Sequence, residues 1–450
     1  MSVFPRVRIL ALLFLFFCEI QDLFPSSDWQ PQAAIAALAQ PELPLAVGEV
    51  ALRVVVGPGA AESSIRQIVR TLDGYVYIAA ADDQGGPALG FPRPTHLRMY
   101  KSTTAGIPSG FREVSRARRP RTDRYATFSG GDMRLDRNGI IHVVYYRTSD
   151  GATVYQLFDT NTDQWDATAT VVTTFGGRPG KASYGSRGRT INSVALDREN
   201  NPVVAVGGDN GVKIFRKTSD GWIEEVMLST APSVHPTMTF DRLNRLHVTW
   251  LEEYSLSSAV HYALREDGVW SDPEPVFAGD LPVSTNSNLA QSPSIAVDSQ
   301  NRPVVLYLAG DPGHGLDVVQ TRTLTAGLWI ADDPPSAIAH APGLHMRDDV
   351  KFVLLGDDRE MQPGYMTHQP TEAEWSTVVN FRPGTPVYAY AGSASARYDP
   401  QYETDCSVVD VVYFDEVPDK RGGFKPVLYY AAIKLNGETS GDGSCRELLH

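Results

Sequence analysis

From about residue 65 onward, apolar and polar positions follow one recurring order along the chain. A short apolar run ends in an Asp turn, a second run rich in Val, Ile and Tyr follows, then a polar loop, a third run and a Trp. Residues 131–165 show it as GDMRLDRNGIIHVVYYRTSDGATVYQLFDTNTDQW. Three more copies follow: INSVALDRENNPVVAVGGDNGVKIFRKTSDGW (191–222), TMTFDRLNRLHVTWLEEYSLSSAVHYALREDGVW (237–270) and SPSIAVDSQNRPVVLYLAGDPGHGLDVVQTRTLTAGLW (292–329). Each run is short and bounded by Asp, Asn, Gly or Ser, which is the strand signal, and none carries a helical period.

Weaker copies extend the series. TLDGYVYIAAADD precedes it, VKFVLLGDD lies before Trp375, and SVVDVVYFDE with PVLYYAAIK closes it. Asp73, Asp136, Asp197, Asp241 and Asp298 stand 63, 61, 44 and 57 residues apart. Four strands repeated at this period make a propeller blade. The expected fold is therefore all-β, a single β-propeller of seven four-stranded blades, with six as the alternative. The strand EVALRVVV, Glu49 to Val56, is placed to add the outer strand of the last blade, which would remove an exposed sheet edge.

The N-terminus has another pattern. Arg6 and Arg8 precede the apolar run Ile9 to Phe17, and small residues end at Ala37, Leu38, Ala39. This reads as an export signal over 1–39, ahead of a propeller domain over 40–450, in a secreted or periplasmic protein. The apolar run is too short to span a bilayer. Beyond residue 39 only Cys406 and Cys445 remain, and two cysteines in an exported chain most simply form one disulfide, here across the last blade.

Composition narrows the class. Hydrophobic residues make up 42% and charged residues 21% of 450, with 38 Gly and 31 Pro, which excludes disordered, collagenous and multi-span membrane proteins. Asp plus Glu outnumber Lys plus Arg by 53 to 40, so nucleic acid is not an expected partner. A monomer without cofactor or metal is expected, since no Cys/His zinc spacing or D-x-D-x-D calcium loop occurs.

In an up-and-down blade the Asp turns and the SDGW-type turns lie at one face. The loops between strands two and three, and those between blades, lie at the other. The second face carries the long polar loops and is where function is expected. Strand two ends in an acid at Asp82, Asp150, Asp209, Glu252, Asp311, Asp357 and Asp415, a candidate rim for sugar hydroxyls, although Asp also simply favours turns. Arginines concentrate in two neighbouring connections: Arg112, Arg116, Arg118, Arg119, Arg121 and Arg124 in one, Arg178, Lys181, Arg187 and Arg189 in the next. Guanidinium forks suit carboxylates and sulfates, so an acidic glycan is the expected ligand. Beside them stand Tyr184 and His235, while His142 and His247 occupy equivalent strand positions and also suit packing roles. The candidate catalytic set is Tyr184, Arg189, His142 and His235. Arg124, Arg187, Asp209, Glu252, Tyr254 and His314 are the candidate substrate-binding set.

The turns SDGW (219–222), EDGVW (266–270), TDQW and AGLW resemble degenerate Asp-box motifs of sialidase-type repeats, a resemblance that implies propeller architecture across most of the chain. The FRIP-type arginine motif of sialidases is absent; FPRP at 91–94 and FRPG at 381–384 are the nearest strings. The chain is also similar in architecture to secreted propeller lyases of the ulvan lyase type, which implies His, Tyr and Arg as working residues. Three functions remain open. One is β-elimination on a uronate polysaccharide, with an arginine neutralising the carboxylate and Tyr and His moving the proton. The others are glycan or protein binding without turnover, and glycoside hydrolysis of the sialidase kind.

Overall fold

The computed structural model describes residues 50–58, 68–83, 94–117, 128–147, 150–176, 192–253, 258–278, 293–311, 316–332, 340–347, 349–356, 364–370, 374–381, 389–390, 404–406, 408–418, 424–434 and 445–447. All of them belong to the unit Leu45–His450. The export signal read over 1–39 lies outside them.

One turn is built four times from an aspartate. In each, Oδ1 accepts the backbone N–H groups two and four residues on: Asn138 and Ile140 at Asp136, Glu199 and Asn201 at Asp197, Leu243 and Arg245 at Asp241, Gln300 and Arg302 at Asp298. The residue three places on enters the left-handed region, and it is Gly139, Asn200, Asn244 or Asn301. Those residue types pay least there, because glycine lacks Cβ and asparagine bonds locally. In the first blade the same turn starts at Thr71, whose Oγ1 accepts from Tyr75 N, with Gly74 at φ 87°. The counterpart is thus Thr71, and the expected Asp73 is only an interior residue of the turn.

These turns join the first two strands of blades that repeat around a ring. Among the described residues there are seven, which resolves the choice between six and seven. Blade 1 is Ile68–Arg70, Val76–Asp83, Pro94–Ser102 and Phe111–Arg116; blade 2 is Phe128–Leu135, Ile140–Arg147, Ala152–Asp159 and Thr170–Thr173. Blade 3 is Asn192–Leu196, Pro202–Gly208, Gly211–Thr218 and Gly221–Ser229. Blade 4 is Ser233–Phe240, Leu246–Glu253, Ser258–Glu266 and Glu274–Ala278. Blade 5 is Ser294–Val297, Pro303–Asp311, Leu316–Thr325 and Leu328–Ala331; blade 6 is His340–Arg347, Val350–Gly356, Gly364–His368 and Val379–Asn380. In blade 7, Ala389–Tyr390, Val408–Pro418 and Phe424–Lys434 are followed in the sheet by Val50–Pro58, antiparallel to Phe424–Lys434. No helix among the described residues is long and apolar enough to cross a membrane.

Among the described residues the apolar clusters lie between neighbouring blades. Alternate residues of each strand face opposite neighbours, so apolar side chains collect between blades. In blade 3, Val203 and Ala205 pack with Met238 and Val248 of blade 4, while Val204 and Val206 pack with Val144 and Tyr155 of blade 2. A strand buried on both faces reads as an unbroken apolar run, which explains PVVAVGG. The same arrangement fills all seven contacts, including that of blade 7 with blade 1 through Val54, Val56, Ile68, Val412 and Tyr430.

Polar ties add to this packing. Trp222, Trp270, Trp329 and Trp375 each donate their indole N–H to the preceding blade, at Thr170, Glu225, Glu274 and the Asp332 carbonyl. Between the last blade and the first, Arg70 forms a two-point ion pair with Asp410 at 2.6 and 2.8 Å, and the Tyr430 hydroxyl donates to the same carboxylate. Nearer the axis, Asp132 accepts from Ser193 Oγ and Val194 N of blade 3, and Arg134 donates to the Met238 carbonyl of blade 4. Cys406 and Cys445 stand opposite one another in a short two-stranded ladder; their side chains lie outside the described ones.

Candidate functional site

A strand buried on both faces leaves little room for chemistry, so polar groups within one are informative. In blade 4 the second strand reads LHVTWLEE, and Trp250 and Glu252 share the face toward blade 3. The register sets Trp250 opposite His261 of the third strand, and the two rings stack at 5.7 Å with 17° between their planes. Glu252 reaches back across this pair. Its Oε1 accepts from Ser229 Oγ at 2.5 Å and from Trp250 Nε1 at 3.3 Å, and its Oε2 lies 3.3 Å from His261 Nε2. Ser233 Oγ donates to Ser229 Oγ, joining the first strand of blade 4 to the set.

Glu252 is 7% exposed, whereas the His261 side chain keeps 18% of its surface open. Burial lowers the His261 ring below the ordinary histidine value, against the opposing pull of Glu252. The pair is thus a carboxylate fixed by two donors beside a neutral, partly open imidazole. Both ring nitrogens of His261 are buried, so its open surface is carbon, and proton exchange with a substrate requires the ring to turn.

The strand before this pair is bent. Val234 faces Leu251 and Thr237 faces Thr249, so His235 and Pro236 oppose Trp250 alone, a β-bulge. His235 has φ 54° and is 2% exposed. Equivalent bulges open blade 2 at Gly130 and Gly131 and blade 6 at Ala341 and Pro342, where glycine and a residue pair ending in proline take the extra length. Close by, Gly208 meets Gly176 so tightly that a Cβ on Gly208 would stand 2.3 Å from the Gly176 Cα. Only glycine permits that approach.

The sequence-predicted residues divide into three groups. Tyr184, Arg187, Arg189, Arg124, Tyr254 and His314 lie outside the described residues, as do Arg118, Arg119, Arg121, Arg178, Lys181 and Asp357. The side chains of Asp82, Asp311 and Asp415 lie outside them too. Glu252 and His235 come to one end of blade 4, and Asp209 is exposed at the turn of the neighbouring blade. Glu252 is tucked inward and does not stand on an open rim, while Asp150 is held by Arg147 at 2.5 Å.

His142 belongs elsewhere. Its Nδ1 is 2.6 Å from the Tyr155 hydroxyl and its Nε2 is 3.5 Å from Asp136, the aspartate of the turn at the other end of the strand. His247 repeats this tie with Tyr262 at 2.8 Å and Asp241 at 3.2 Å. Two blades sharing one buried Asp–His–Tyr set show a blade-building role. Arg112 and Arg116 also differ from expectation: they lie in the fourth strand of blade 1, paired with Asp163 and Glu113, and Asp163 belongs to the Asp-turn end.

Sequence reasoning missed His261, Trp250 and Ser229. The available signal was Trp250 at a place where the copies carry Tyr145, Val206 and Tyr307, but pairing it with His261 required the strand register. Among the described residues no three of His, Cys, Asp and Glu gather as a metal would need.

No family model matches the chain, and no curated protein matches it. Among solved structures, it is similar to an α-L-arabinofuranosidase of Fusarium graminearum in complex with an iminosugar inhibitor, at 12% identity and a TM-score of 0.47 over 87% of this chain and 99% of that one. An α-L-arabinanase of Penicillium chrysogenum complexed with arabinobiose gives 10% identity and 0.43 over 84% and 98%. The polysaccharide lyase Uly1 gives 12% and 0.45 over 91% and 96%. Likeness at this level assigns neither activity nor substrate to this chain.

Proposed function

We propose that the protein is an exported, carbohydrate-active propeller that cleaves a uronate-containing polysaccharide by β-elimination at the blade 4 end described above. The observation that carries this reading is the Glu252–His261 pair, a buried carboxylate held by Ser229 and Trp250 against a neutral imidazole that is mostly buried. In β-elimination a base removes the proton at C5 of the uronate, electrons move to form the C4–C5 double bond, and the C4–O bond breaks with protonation of the leaving oxygen. His261 is the base in this scheme, and its ring, whose nitrogens are buried in the free protein, turns toward the substrate on binding. Glu252 fixes its orientation and stabilises the imidazolium that forms, which makes it a positioning residue. Arg187 or Arg189 neutralises the uronate carboxylate, and Tyr184 supplies the leaving-group proton. The residue spacing and the arginine-rich connection support those three roles.

The first test is incubation of the full chain with ulvan and other uronate polysaccharides, following the ultraviolet absorbance of the unsaturated product. His261→Ala is expected to lower the rate about 10²-fold or more, the usual contribution of a general base. Glu252→Gln is expected to lower kcat and to change the pH profile, with KM little altered. Absence of any unsaturated product would overturn the lyase reading. Saturable glycan binding without product would establish the non-catalytic alternative. With export goes a further proposal, a Cys406–Cys445 disulfide; free-thiol titration of the exported protein should find neither residue reactive until a reductant is added.

A further inference from the structure

Between blades 5 and 6, at the Asp-turn end of the ring, lies a cleft of about 220 Å³. It is lined by Asp298, Arg302, Thr323 and Asp332 from blade 5 and by Asp349 and Lys351 from blade 6, with Ile330, Met346 and Pro370 as apolar wall. Its origin is visible in the repeat. At this level blades 2 and 4 fill the contact with the next blade by a His–Tyr pair, His142 with Tyr155 and His247 with Tyr262. The register puts Val304 and Thr321 in those two places in blade 5, Val304 across from Ala296 as His247 is across from Thr239, and Thr321 across from Leu306 as Tyr262 is across from Thr249. Two large rings are replaced by two small, fully buried side chains, the Thr321 hydroxyl bonds Asp332 of the cleft wall, and Lys351 of blade 6 lines the cleft.

The two cations of the cleft are each paired with one of its three carboxylates, the third is held by neutral donors, and His368 also lines it. Lys351 pairs with Asp332 and donates to Thr323 Oγ1 at 3.0 Å; its side chain is 9% exposed. Arg302 pairs through Nε with Asp298 at 2.6 Å, and Asp349 accepts from Ser299 N and Oγ, both at 2.6 Å. An anionic ligand would face an excess of carboxylate and would have to take Arg302 or Lys351 from its partner at a cost. A neutral polyol meets no such penalty. It can use the remaining guanidinium N–H groups of Arg302, the third ammonium proton of Lys351 and the Thr325 hydroxyl, with its C–H face on Ile330 and Met346. The volume is below the roughly 300 Å³ at which drug-sized pockets begin, and suits one sugar ring.

We propose that this cleft is a second carbohydrate site, separate from the Glu252–His261 end, which takes one neutral pyranose unit. It goes beyond the lyase reading and does not depend on it. The test is saturation-transfer NMR on the full chain with methyl pyranosides of glucose, galactose, mannose, xylose and rhamnose, alongside methyl glucuronide and methyl galacturonide. At least one neutral glycoside is expected to bind saturably. Arg302→Gln, at a half-exposed position, and the filling double variant Val304→His with Thr321→Tyr should each weaken it tenfold or more, and Glu252→Gln should leave it unchanged. The proposal is overturned if no neutral glycoside saturates, if the uronides bind more tightly, or if the cleft variants leave binding intact while Glu252→Gln abolishes it.

Discussion

Asn200, Asn244 and Asn301 show how much a single residue settles in this protein. Each sits at positive φ in a turn whose aspartate accepts two backbone N–H groups. Replacing Asn200 with Ala is expected to destabilise the protein by up to about 1–2 kcal/mol, because alanine lacks the local side-chain hydrogen bonding that eases asparagine into the left-handed region, while Asn200→Gly should be close to neutral. Urea unfolding of the two variants side by side checks this, and equal losses would contradict it. The recurring Asp made these turns legible in the chain, while the role of the asparagine three places on came from the structure. His235 is the opposite case: its own residue type says nothing of the left-handed backbone it adopts, because the bulge arises from pairing with a neighbouring strand.

At the scale of the element, the recurring Trp acts as a strap to the blade before it. Trp222 donates to a threonine hydroxyl and Trp270 to the Glu225 carboxylate. Removing the N–H while keeping an aromatic ring, as in Trp222→Phe, is expected to cost about 1 kcal/mol beyond any packing change. Trp270→Phe should cost more, about 1.5–3 kcal/mol, since the acceptor is charged. Chemical denaturation of both variants measures the difference, and a larger loss for Trp222 would refute the account. The repeated Trp was legible as a marker of the blade, but its acceptors were not. Thr170, Glu225, Glu274 and Asp332 follow the Trp of their own blade at a regular short interval, but they offer a hydroxyl, two carboxylates and a backbone carbonyl, and only the ring brings them next to the indoles of the next blade.

For the whole molecule, closure of the ring concentrates in a buried ion pair. Arg70 is fully buried and Asp410 nearly so, and they lie 340 residues apart. Arg70→Met leaves the Asp410 charge without its partner, and a loss of about 3–5 kcal/mol is expected. Pairing it with Asp410→Leu should recover much of that, because the unmatched charge is gone. Thermal unfolding of the single and double variants decides the matter, and a double variant no better than the single would count against it. Acid should loosen the ring as well. Burial lowers the His247 ring below the ordinary value despite Asp241, so unfolding takes up a proton there and stability falls as pH drops below the unfolded value of about 6.5. In Asp136, Asp241 and Glu225 burial works upward, but donors, led by His142, His247 and Arg216, hold each carboxyl below its ordinary range. Their stabilisation is present above the unfolded carboxylate values and is lost as pH falls below about 4. Urea midpoints should stay level from pH 8 to about 7, decline below about 6.5 and decline further below about 4, and a rise on acidification would contradict both assignments.

The sequence by itself determined the strands, the turns and the repeat, because period, turn residues and apolar runs are local properties that a strand buried on both faces writes directly into the chain. It also marked Glu252 and His235. Tertiary structure alone decided what those residues stand beside. Strand register placed His261 and Trp250 against Glu252, the neighbouring blade brought Ser229, and the ring set Arg70 on Asp410. A single chain carries no record of side-chain neighbours across strands and blades, and the loss of two rings at Val304 and Thr321 becomes a cleft only when blade 6 is packed against them.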